Sequence, residues 1–149
     1  MDLRLAQPDD VPAFHDLVQR AYAHYVPRLG VRPAPMDEDH AAQVAAGQVW
    51  LLEDGGALAG AVVLVAAEDH LLVDNLAVDP ARHGAGLGRR LLDHADAEAR
   101  RRGLPELRLY TNELMTENRA IYAHLGWTED GSSAVGPFRR VHFRRATSG

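Results

Sequence analysis

Three glycines at alternating positions mark the stretch of this sequence that is best suited to hold an anion. They lie in DNLAVDPARHGAGLGRR, residues 74–90, and are Gly84, Gly86 and Gly88. Glycine tolerates positive φ and has no Cβ, so a backbone built from it approaches a ligand closely. The residues before the glycines predict a strand and those after them a helix, whose first N–H groups favour a phosphate. Three arginines are expected to add positive charge, Arg82, Arg89 and Arg90.

The glycine spacing and the absence of lysine exclude two common kinds of phosphate site. The dinucleotide fingerprint G-x-G-x-x-G is absent, and no βαβ unit stands near the N-terminus. A P-loop requires a lysine, and all 16 residues counted as Lys or Arg are arginine. The alternative to a ligand site is that the glycines only permit tight packing of a helix against a strand.

The same stretch resembles motif A of the GCN5-related N-acetyltransferases, the GNAT family, whose loop holds the pyrophosphate of acetyl-CoA. The family pattern of Arg or Gln, two residues, Gly, one residue and Gly or Ala falls on His83, Gly86 and Gly88. His83 departs from the family residue at its position. A second segment, TNELMTENRAIYAHLGW at residues 111–127, resembles the later family motif with its tyrosine and Gly-aromatic pair. The resemblance covers nearly the whole chain.

This resemblance implies which residues hold the donor. The loop residues are His83, Gly84, Ala85, Gly86, Leu87, Gly88 and Arg89. The strand residues, whose backbone groups would pair with the pantetheine arm, are Leu76, Ala77 and Val78. Asn118 is expected to bond the donor arm as well. Many relatives carry that asparagine seven residues before the tyrosine, where this chain has Met115.

Tyr122 is the candidate general acid. It lies four residues before Gly126, as the family tyrosine does. A phenol is protonated at neutral pH, so it can donate its proton to a leaving thiolate. The alternative is that Tyr122 is an aromatic residue packed on the inner face of a helix.

Asp74 is the candidate general base. A carboxylate on an otherwise apolar central strand is costly to bury, and this favours the form that has accepted a proton. Relatives often carry the longer glutamate at this position, so Asp74 is expected to act through a water rather than directly. The alternative is that Asp74 caps a backbone group or pairs with an arginine.

The resemblance places acceptor binding between the first two helices. This segment, residues 22–36, contains two tyrosines and two arginines, and three acidic residues follow it directly. Arginine can hold a carboxylate or phosphate through two parallel hydrogen bonds. Tyr25 and Arg28 are therefore the candidate substrate-binding residues, for an acceptor with an anionic group beside its amine. The alternative is that Arg28 and Arg32 are solvated loop residues.

Hydrophobic periodicity and turn residues predict the elements that position these groups. Strands are expected around Leu3 and Leu5 and at residues 49–53, 58–66, 71–78, 107–110 and 138–144, with Trp127 contributing to the sheet and a Gly-Ser-Ser loop after it. Helices are expected from Val11 until Pro27 stops the pattern, and at residues 37–46, 87–102 and 117–125. With the resemblance, this gives an α/β (α+β) fold. A mostly antiparallel sheet of six or seven strands, with a parallel central pair, is flanked by about four helices.

Composition excludes several kinds of protein. The 149 residues predict a single domain, 1–149. The absence of cysteine excludes disulfides, thiol nucleophiles and thiolate metal sites, and the eight histidines lack metal-binding spacing. A net charge of −5 argues against nucleic acid as a partner, and the arginines at residues 100–102 are expected to form i,i+4 pairs on a solvated face. The sequence has no signal segment and no apolar run of membrane length, so a cytoplasmic protein is expected. A homodimer and a monomer are both compatible with the sequence.

The sequence therefore predicts an acetyl-CoA-dependent N-acetyltransferase that acts on a primary amine of a small molecule or peptide. The acceptor would attack the acetyl group directly in a ternary complex, with no metal. The rival hypothesis is a non-catalytic module that binds or senses acyl-CoA.

Overall fold

The computed structural model describes residues 1–82 and 84–148, which form an open seven-stranded sheet with five α-helices. The strands are β1 (Asp2–Leu5), β2 (Val49–Asp54), β3 (Ala57–Ala66), β4 (Leu71–Val78), β5 (Glu106–Asn112), β6 (Thr128–Val135) and β7 (Phe138–Ala146). The helices are α1 (Val11–Tyr22), α2 (Tyr25–Leu29), α3 (His40–Ala45), α4 (Leu87–Arg101) and α5 (Thr116–His124). Short 3-10 turns lie at Pro8–Asp10, Ala34–Asp37 and Pro80–Arg82.

The sheet is mixed and mostly antiparallel. Its strands follow the order β1-β2-β3-β4-β5-β7-β6. Strands β4 and β5 are parallel, whereas β1 with β2, β2 with β3, β5 with β7, and β6 with β7 are antiparallel. The predicted fold class, with its parallel central pair, is confirmed.

The chain divides into two compact units. The first contains Met1–Leu64 together with Asn75–Asp93, and the second contains Val65–Asp74 together with the residues from His94 onward. The boundary falls within β4 and within α4, so each of these elements contributes residues to both units.

The first unit is built on β1, β2 and β3. The turn between β2 and β3 has Asp54 opposite Ala57, and Gly55 and Gly56 both have positive φ, at 59° and 87°. A two-residue turn with positive φ at both positions matches the right-handed twist of the two strands that it joins. Glycine tolerates positive φ, which explains the Gly-Gly pair after Asp54. The predicted hairpin is confirmed. Helix α1 adds its apolar stripe to this core, with Phe14, Leu17 and Val18 fully buried.

Gly60 on β3 allows α4 to lie close to the sheet. A Cβ at this position would stand 2.9 Å from Leu91 Cδ1 and 3.2 Å from the Ala77 carbonyl oxygen. Both distances are too short for ordinary contacts, so only glycine permits this approach. Leu91 and Leu92 are themselves buried. The first turns of α4, and with them the glycine loop, are fixed by this packing.

The second unit has one apolar and one polar sheet face. On β5, Leu107, Leu109 and Thr111 are buried and alternate with half-buried polar residues. On β7, Val141 and Phe143 are buried in the same way. Alternation of side chains along a strand places the intervening polar residues together on the opposite face.

Two predicted helix boundaries are wrong. Helix α1 ends at Tyr22, and Pro27 lies in the first turn of α2 instead of ending a longer helix. Proline is tolerated there because its missing N–H would have no partner within the helix. The next helix begins at His40 instead of Asp37, because the Asp39 carboxylate accepts a hydrogen bond from the Ala42 amide at 3.0 Å and caps it.

Two further predictions about local structure need correction. The Gly-Ser-Ser segment lies within β6, where an irregularity of register between Glu129 and Ser132 accommodates it. The ion pairs of Asp96 with Arg100 and of Glu98 with Arg102 form as predicted, at 3.1 and 3.5 Å. Their carboxylates are buried, however, instead of lying on a solvated face.

Candidate active site

The glycine loop before α4 has the backbone geometry of an anion site. Gly84 and Gly86 have positive φ, at 78° and 73°, and the Arg90 amide donates to the Gly86 carbonyl at 3.1 Å, closing the first turn of α4. The N–H groups before Arg90 precede that first intrahelical bond. A Cβ at Gly84, Gly86 or Gly88 would meet no protein atom within 4 Å. The loop therefore faces open space, and His83 lies outside the described residues.

Arg82 contributes less positive charge to this loop than the sequence predicts. Its guanidinium lies 2.5 Å from an Asp54 oxygen and 3.8 Å from an Asp79 oxygen. The Ala81 amide and then the Arg20 guanidinium lower the pKa of Asp79, so this carboxylate stays charged and holds both arginines. Arg89 and Arg90 are exposed in the first turn of α4, and Arg90 donates to the Met1 carbonyl at 2.9 Å.

The end of β4 presents the three residues predicted to pair with the donor. Ala77 is buried, whereas Leu76 and Val78 are half-buried. The Tyr22 hydroxyl donates to Asn75 Oδ1 at 2.8 Å, and the Leu76 carbonyl oxygen is a second acceptor 3.1 Å from it. A carbonyl oxygen can accept two hydrogen bonds, so Leu76 retains capacity for a ligand.

In the second unit, Asp74 accepts a hydrogen bond from a residue that the sequence interpretation missed. The Tyr110 hydroxyl lies 3.4 Å from Asp74 Oδ1. The backbone pairs recorded between β4 and β5 are Leu71 with Leu107 and Leu72 with Arg108. Asp74 and Tyr110 stand two residues further along each strand on the same face, which explains why their side chains meet.

Three more polar side chains surround Tyr110. The Arg140 guanidinium carbon lies 4.2 Å from the centre of the Tyr110 ring, and the His142 ring lies 6.1 Å from it. His142 Nε2 is 2.9 Å from Ser133 Oγ. Residues of β4, β5, β6 and β7 thus form one polar cluster on the face opposite the apolar core.

Tyr122 is buried on α5. Its ring packs against Trp127 and Phe143, with centroid distances of 6.1 and 5.6 Å, and the residue is 7% exposed. Asn118, one helical turn earlier, is half-buried. Met115 is buried, and its sulfur accepts a hydrogen bond from the Thr111 hydroxyl at 3.4 Å. The position where many relatives carry asparagine is therefore part of the core in this chain.

The predicted acceptor residues lie on α2 in the first unit. Tyr25 is 3% exposed, and the centre of its ring lies 4.0 Å from that of the His24 ring, with the two ring planes tilted by 39°. The exposed Arg28 places its guanidinium carbon 5.3 Å from the centre of the Tyr25 ring. Arg32 bonds to Asp37 at 2.9 Å and to Gln19 at 2.6 Å. Arg32 is therefore held by the carboxylate of Asp37.

Residues 1–82 and 84–148 contain neither a group of metal ligands nor a helix that could span a membrane. No group of three or more His, Asp or Glu residues in these ranges could hold a metal ion. None of the helices there is both long and apolar enough to cross a lipid bilayer.

Comparison with known proteins gives the family. Residues 45–129 match the model of the acetyltransferase (GNAT) domain. The [ribosomal protein bS18]-alanine N-acetyltransferase of Escherichia coli (strain K12) is 31% identical over 123 residues, which are 80% of this chain and 76% of that protein. Mycothiol acetyltransferase of Beutenbergia cavernae is 39% identical over 85 residues, or 54% of this chain, which spans only 28% of that relative's length.

A solved structure shares the fold. The PaiA N-acetyltransferase from Thermoplasma acidophilum, in complex with coenzyme A, superposes with a TM-score of 0.79 at 14% identity, covering 95% of this chain and 96% of that one. The matched family domain includes the glycine loop, β4, β5 and α5. The family model and the curated relatives define the class of protein as an acyltransferase. The chain belongs to the GNAT acetyltransferase family.

Proposed function

We propose that the chain transfers an acetyl group from acetyl-CoA to a primary amine of a small molecule or peptide. The open glycine loop at the start of α4 is the observation that carries this proposal. Positive φ at Gly84 and Gly86 and the helix N-terminus behind them suit a pyrophosphate. The empty space on the Cβ side of the loop is where such a group would fit.

Donor binding is proposed to involve the loop and the end of β4. Residues 83–89 would hold the pyrophosphate through backbone groups, and Leu76, Ala77, Val78 and Asn118 would contact the pantetheine arm. Acetyl-CoA supplies the acetyl group as a thioester, with a thiolate as the leaving group. The protein's contribution is to hold donor and acceptor together, because effective molarities of oriented reactants are large.

Two side chains are proposed to move protons. Tyr122 would protonate the leaving thiolate, and Asp74 would accept the proton that the amine loses. Direct attack in a ternary complex is supported by composition. The chain contains no cysteine, the side chain whose thiol most readily takes an acyl group from a thioester and passes it on.

A thiol-release assay over a panel of amines, combined with calorimetry of acetyl-CoA binding, tests this proposal. Tyr122→Phe should lower turnover at least tenfold and leave the dissociation constant of acetyl-CoA nearly unchanged, because it deletes a contact made in the transition state. Asp74→Asn should remove the acidic limb of the pH–rate profile. Wild-type turnover in both variants across the pH range would show that neither residue moves a proton.

The rival function is a non-catalytic acyl-CoA-binding module. The burial of Tyr122 between Trp127 and Phe143 favours it, since a packed aromatic residue needs no catalytic role. The same assay separates the two functions. A chain that binds acetyl-CoA and releases no thiol with any amine is a binding module.

For the acceptor, we propose an amine that carries an anionic group, held by Arg28 with Tyr25 as its support. The relatives are named for two different acceptors, mycothiol and an alanine of ribosomal protein bS18, so they do not decide the class. The Arg28 guanidinium carbon lies 5.3 Å from the centre of the Tyr25 ring, and a guanidinium can bind a carboxylate through two parallel hydrogen bonds.

Arg28→Ala should therefore reduce the preference for amino acids over their decarboxylated amines at least fivefold. Arg32→Ala is the matched control, because Arg32 is already bonded to Asp37 and Gln19. The measurement is kcat/KM for each amino acid and its decarboxylated partner. If the decarboxylated amines are the better substrates of the wild type, or if both variants discriminate alike, Arg28 does not bind an acceptor anion.

A further inference from the structure

We propose that Tyr110 is a catalytic residue that passes the acceptor's proton to Asp74. The sequence interpretation placed a water between the amine and Asp74, and the structure puts the Tyr110 hydroxyl next to this carboxylate instead. This inference rests on the proposed acetyl transfer with Asp74 as base. The inference adds the Tyr110 hydroxyl as the group that passes the proton from the amine to Asp74.

The geometry of the strands brings the two groups together. β4 and β5 run parallel, and Asp74 and Tyr110 each follow the last recorded backbone pair by two residues. Both side chains therefore lie on the polar face, both are half-buried, and their oxygens are 3.4 Å apart. Asp74 is too short to extend far from its strand, whereas the phenol places a hydroxyl about 6.5 Å from its own Cα.

A phenol hydroxyl is suited to the task because it donates one proton and accepts another. Tyr110 already donates to Asp74 Oδ1 in the resting structure. A phenol oxygen that donates its own proton can take another from an amine in the same step.

Arg140 makes the relay electrostatically favourable. Its guanidinium carbon lies over the Tyr110 ring at 4.2 Å from the centroid. A cation over a phenol is attracted to the ring and stabilises negative charge that develops on the oxygen while its proton moves. Arg140 is a positioning residue in this scheme and touches neither substrate.

The amine nitrogen forms a bond to the acetyl carbon, and the carbon–sulfur bond breaks. One N–H proton of the amine passes to the Tyr110 oxygen as the Tyr110 proton passes to Asp74. The thiolate takes its proton from Tyr122 under the proposed function. Asp74 then returns its proton to water, and Tyr122 regains one, so both residues end as they began.

Other titratable and charged groups face Tyr110 and contribute to any pH profile. On β7 these are Arg140 and His142, which lies directly across from Tyr110 and near Ser133 Oγ. On β5 itself Arg108 shares the face, and it is paired with Glu106 and Asp69. His142 is the histidine among these neighbours. A His142→Gln variant therefore identifies its share of the profile.

The test is a cycle of Tyr110→Phe, Asp74→Asn and the double variant, with kcat/KM measured by thiol release from pH 5 to 9. Tyr110→Phe keeps the ring under Arg140 and removes only the hydroxyl. If Tyr110 and Asp74 act in one relay, each single variant should lose at least tenfold and lack the acidic limb. The double variant should then be no slower than the worse single variant. Thr111→Val is the matched control, because it deletes a hydroxyl hydrogen bond from the opposite face of the same strand.

A second readout is independent of turnover. The same cycle measured by unfolding should be non-additive, because the Tyr110–Asp74 hydrogen bond is lost in either single variant. Wild-type turnover in Tyr110→Phe, or losses that multiply in the double variant, would overturn the relay while acetyl transfer stands. Absence of thiol release by the wild type with every amine would overturn both proposals. A Thr111→Val loss equal to that of Tyr110→Phe would show that the effect is structural.

Discussion

Gly86 shows how a single residue can decide whether the start of α4 accepts a phosphate. Its φ of 73° is one that other L-residues rarely adopt, and its carbonyl accepts the first helical hydrogen bond from Arg90. A Cβ at Gly86 would meet nothing within 4 Å. The protein itself therefore leaves space at this position, and a side chain there would compete only with a ligand.

Gly86→Val should weaken acetyl-CoA binding at least tenfold, about 1.4 kcal/mol, because the branched side chain would occupy the phosphate position. Backbone strain alone would cost roughly 1–2 kcal/mol of stability. Gly103→Val controls for strain, since Gly103 has a φ of 71° and equally open surroundings after α4. Calorimetry of acetyl-CoA binding is the measurement. Equal affinities in both variants, with folded protein, would show that the loop does not hold the donor.

Some candidate site residues carry a signal in the sequence and others do not, because the second group comes together only through the pairing of strands. The glycines and Asp74 stand out because their types are unusual where they occur, in a turn and on an apolar strand. Tyr110 and Arg140 carry no such local signal. They lie on different strands, 30 positions apart, and meet only through the register of β5 with β7. Recognising such a pair requires knowing which strands are neighbours.

At the scale of elements, the bounds of helices and strands with a long hydrophobic pattern were predicted more accurately than those of short ones. Strand β4 was predicted with its observed bounds, and α4 ends one residue earlier than predicted. Both have many periodic residues that agree with one another. The short elements α2, α3 and β6 depend instead on a few contacts, such as a cap or a bulge. Their boundaries follow from hydrogen bonds that hydrophobicity does not reveal.

Asp39 is the cap on which α3 depends. Its carboxylate accepts the Ala42 amide at 3.0 Å, and α3 has only six residues. Asp39→Ala should therefore lower the free energy of unfolding by about 1 kcal/mol, whereas Asp39→Asn should change it by only a few tenths. Chemical denaturation measures both.

Asp37→Ala is the control for Asp39→Ala, because it removes a nearby carboxylate that does not cap α3. Asp37 forms an exposed ion pair with Arg32, which contributes about 0–1 kcal/mol. If Asp37→Ala destabilises the protein more than Asp39→Ala does, the charge of this segment matters more than the cap.

At the scale of the whole molecule, paired carboxylates link stability to pH. Four of them have pKa values below the ordinary range, Asp10, Asp69, Asp79 and Glu98. The main causes are hydrogen bonds from Arg4, His70, the Ala81 amide and Arg101, respectively. A carboxylate whose pKa is lowered by folding stabilises the folded state above its unfolded pKa. Both compact units contain such groups, so each is expected to lose stability in acid.

Asp10 offers the clearest measurement of this linkage. The Arg4 guanidinium donates to both of its oxygens, at 2.7 and 2.9 Å, and the Gln7 amide donates at 2.7 Å. These bonds lower the pKa of Asp10 from 3.8 to about 2. The carboxylate should therefore contribute about 2 kcal/mol of stability above pH 4, and this contribution should disappear as the pH falls from about 4 to about 2.

Asp10→Asn should accordingly be less stable than the wild type by about 2 kcal/mol at pH 6 and nearly as stable at pH 2, because the protonated carboxyl and the amide are both neutral. Urea unfolding at pH values between 2 and 6 gives the two curves. Asp9→Asn, at the exposed neighbouring position, removes the same charge without the Arg4 contact and should follow the wild-type curve. If the wild-type curve stays parallel to that of Asp10→Asn down to pH 2, the pKa of Asp10 is the same in the folded and the unfolded chain. The Arg4–Asp10 pair would then contribute no pH-dependent stability.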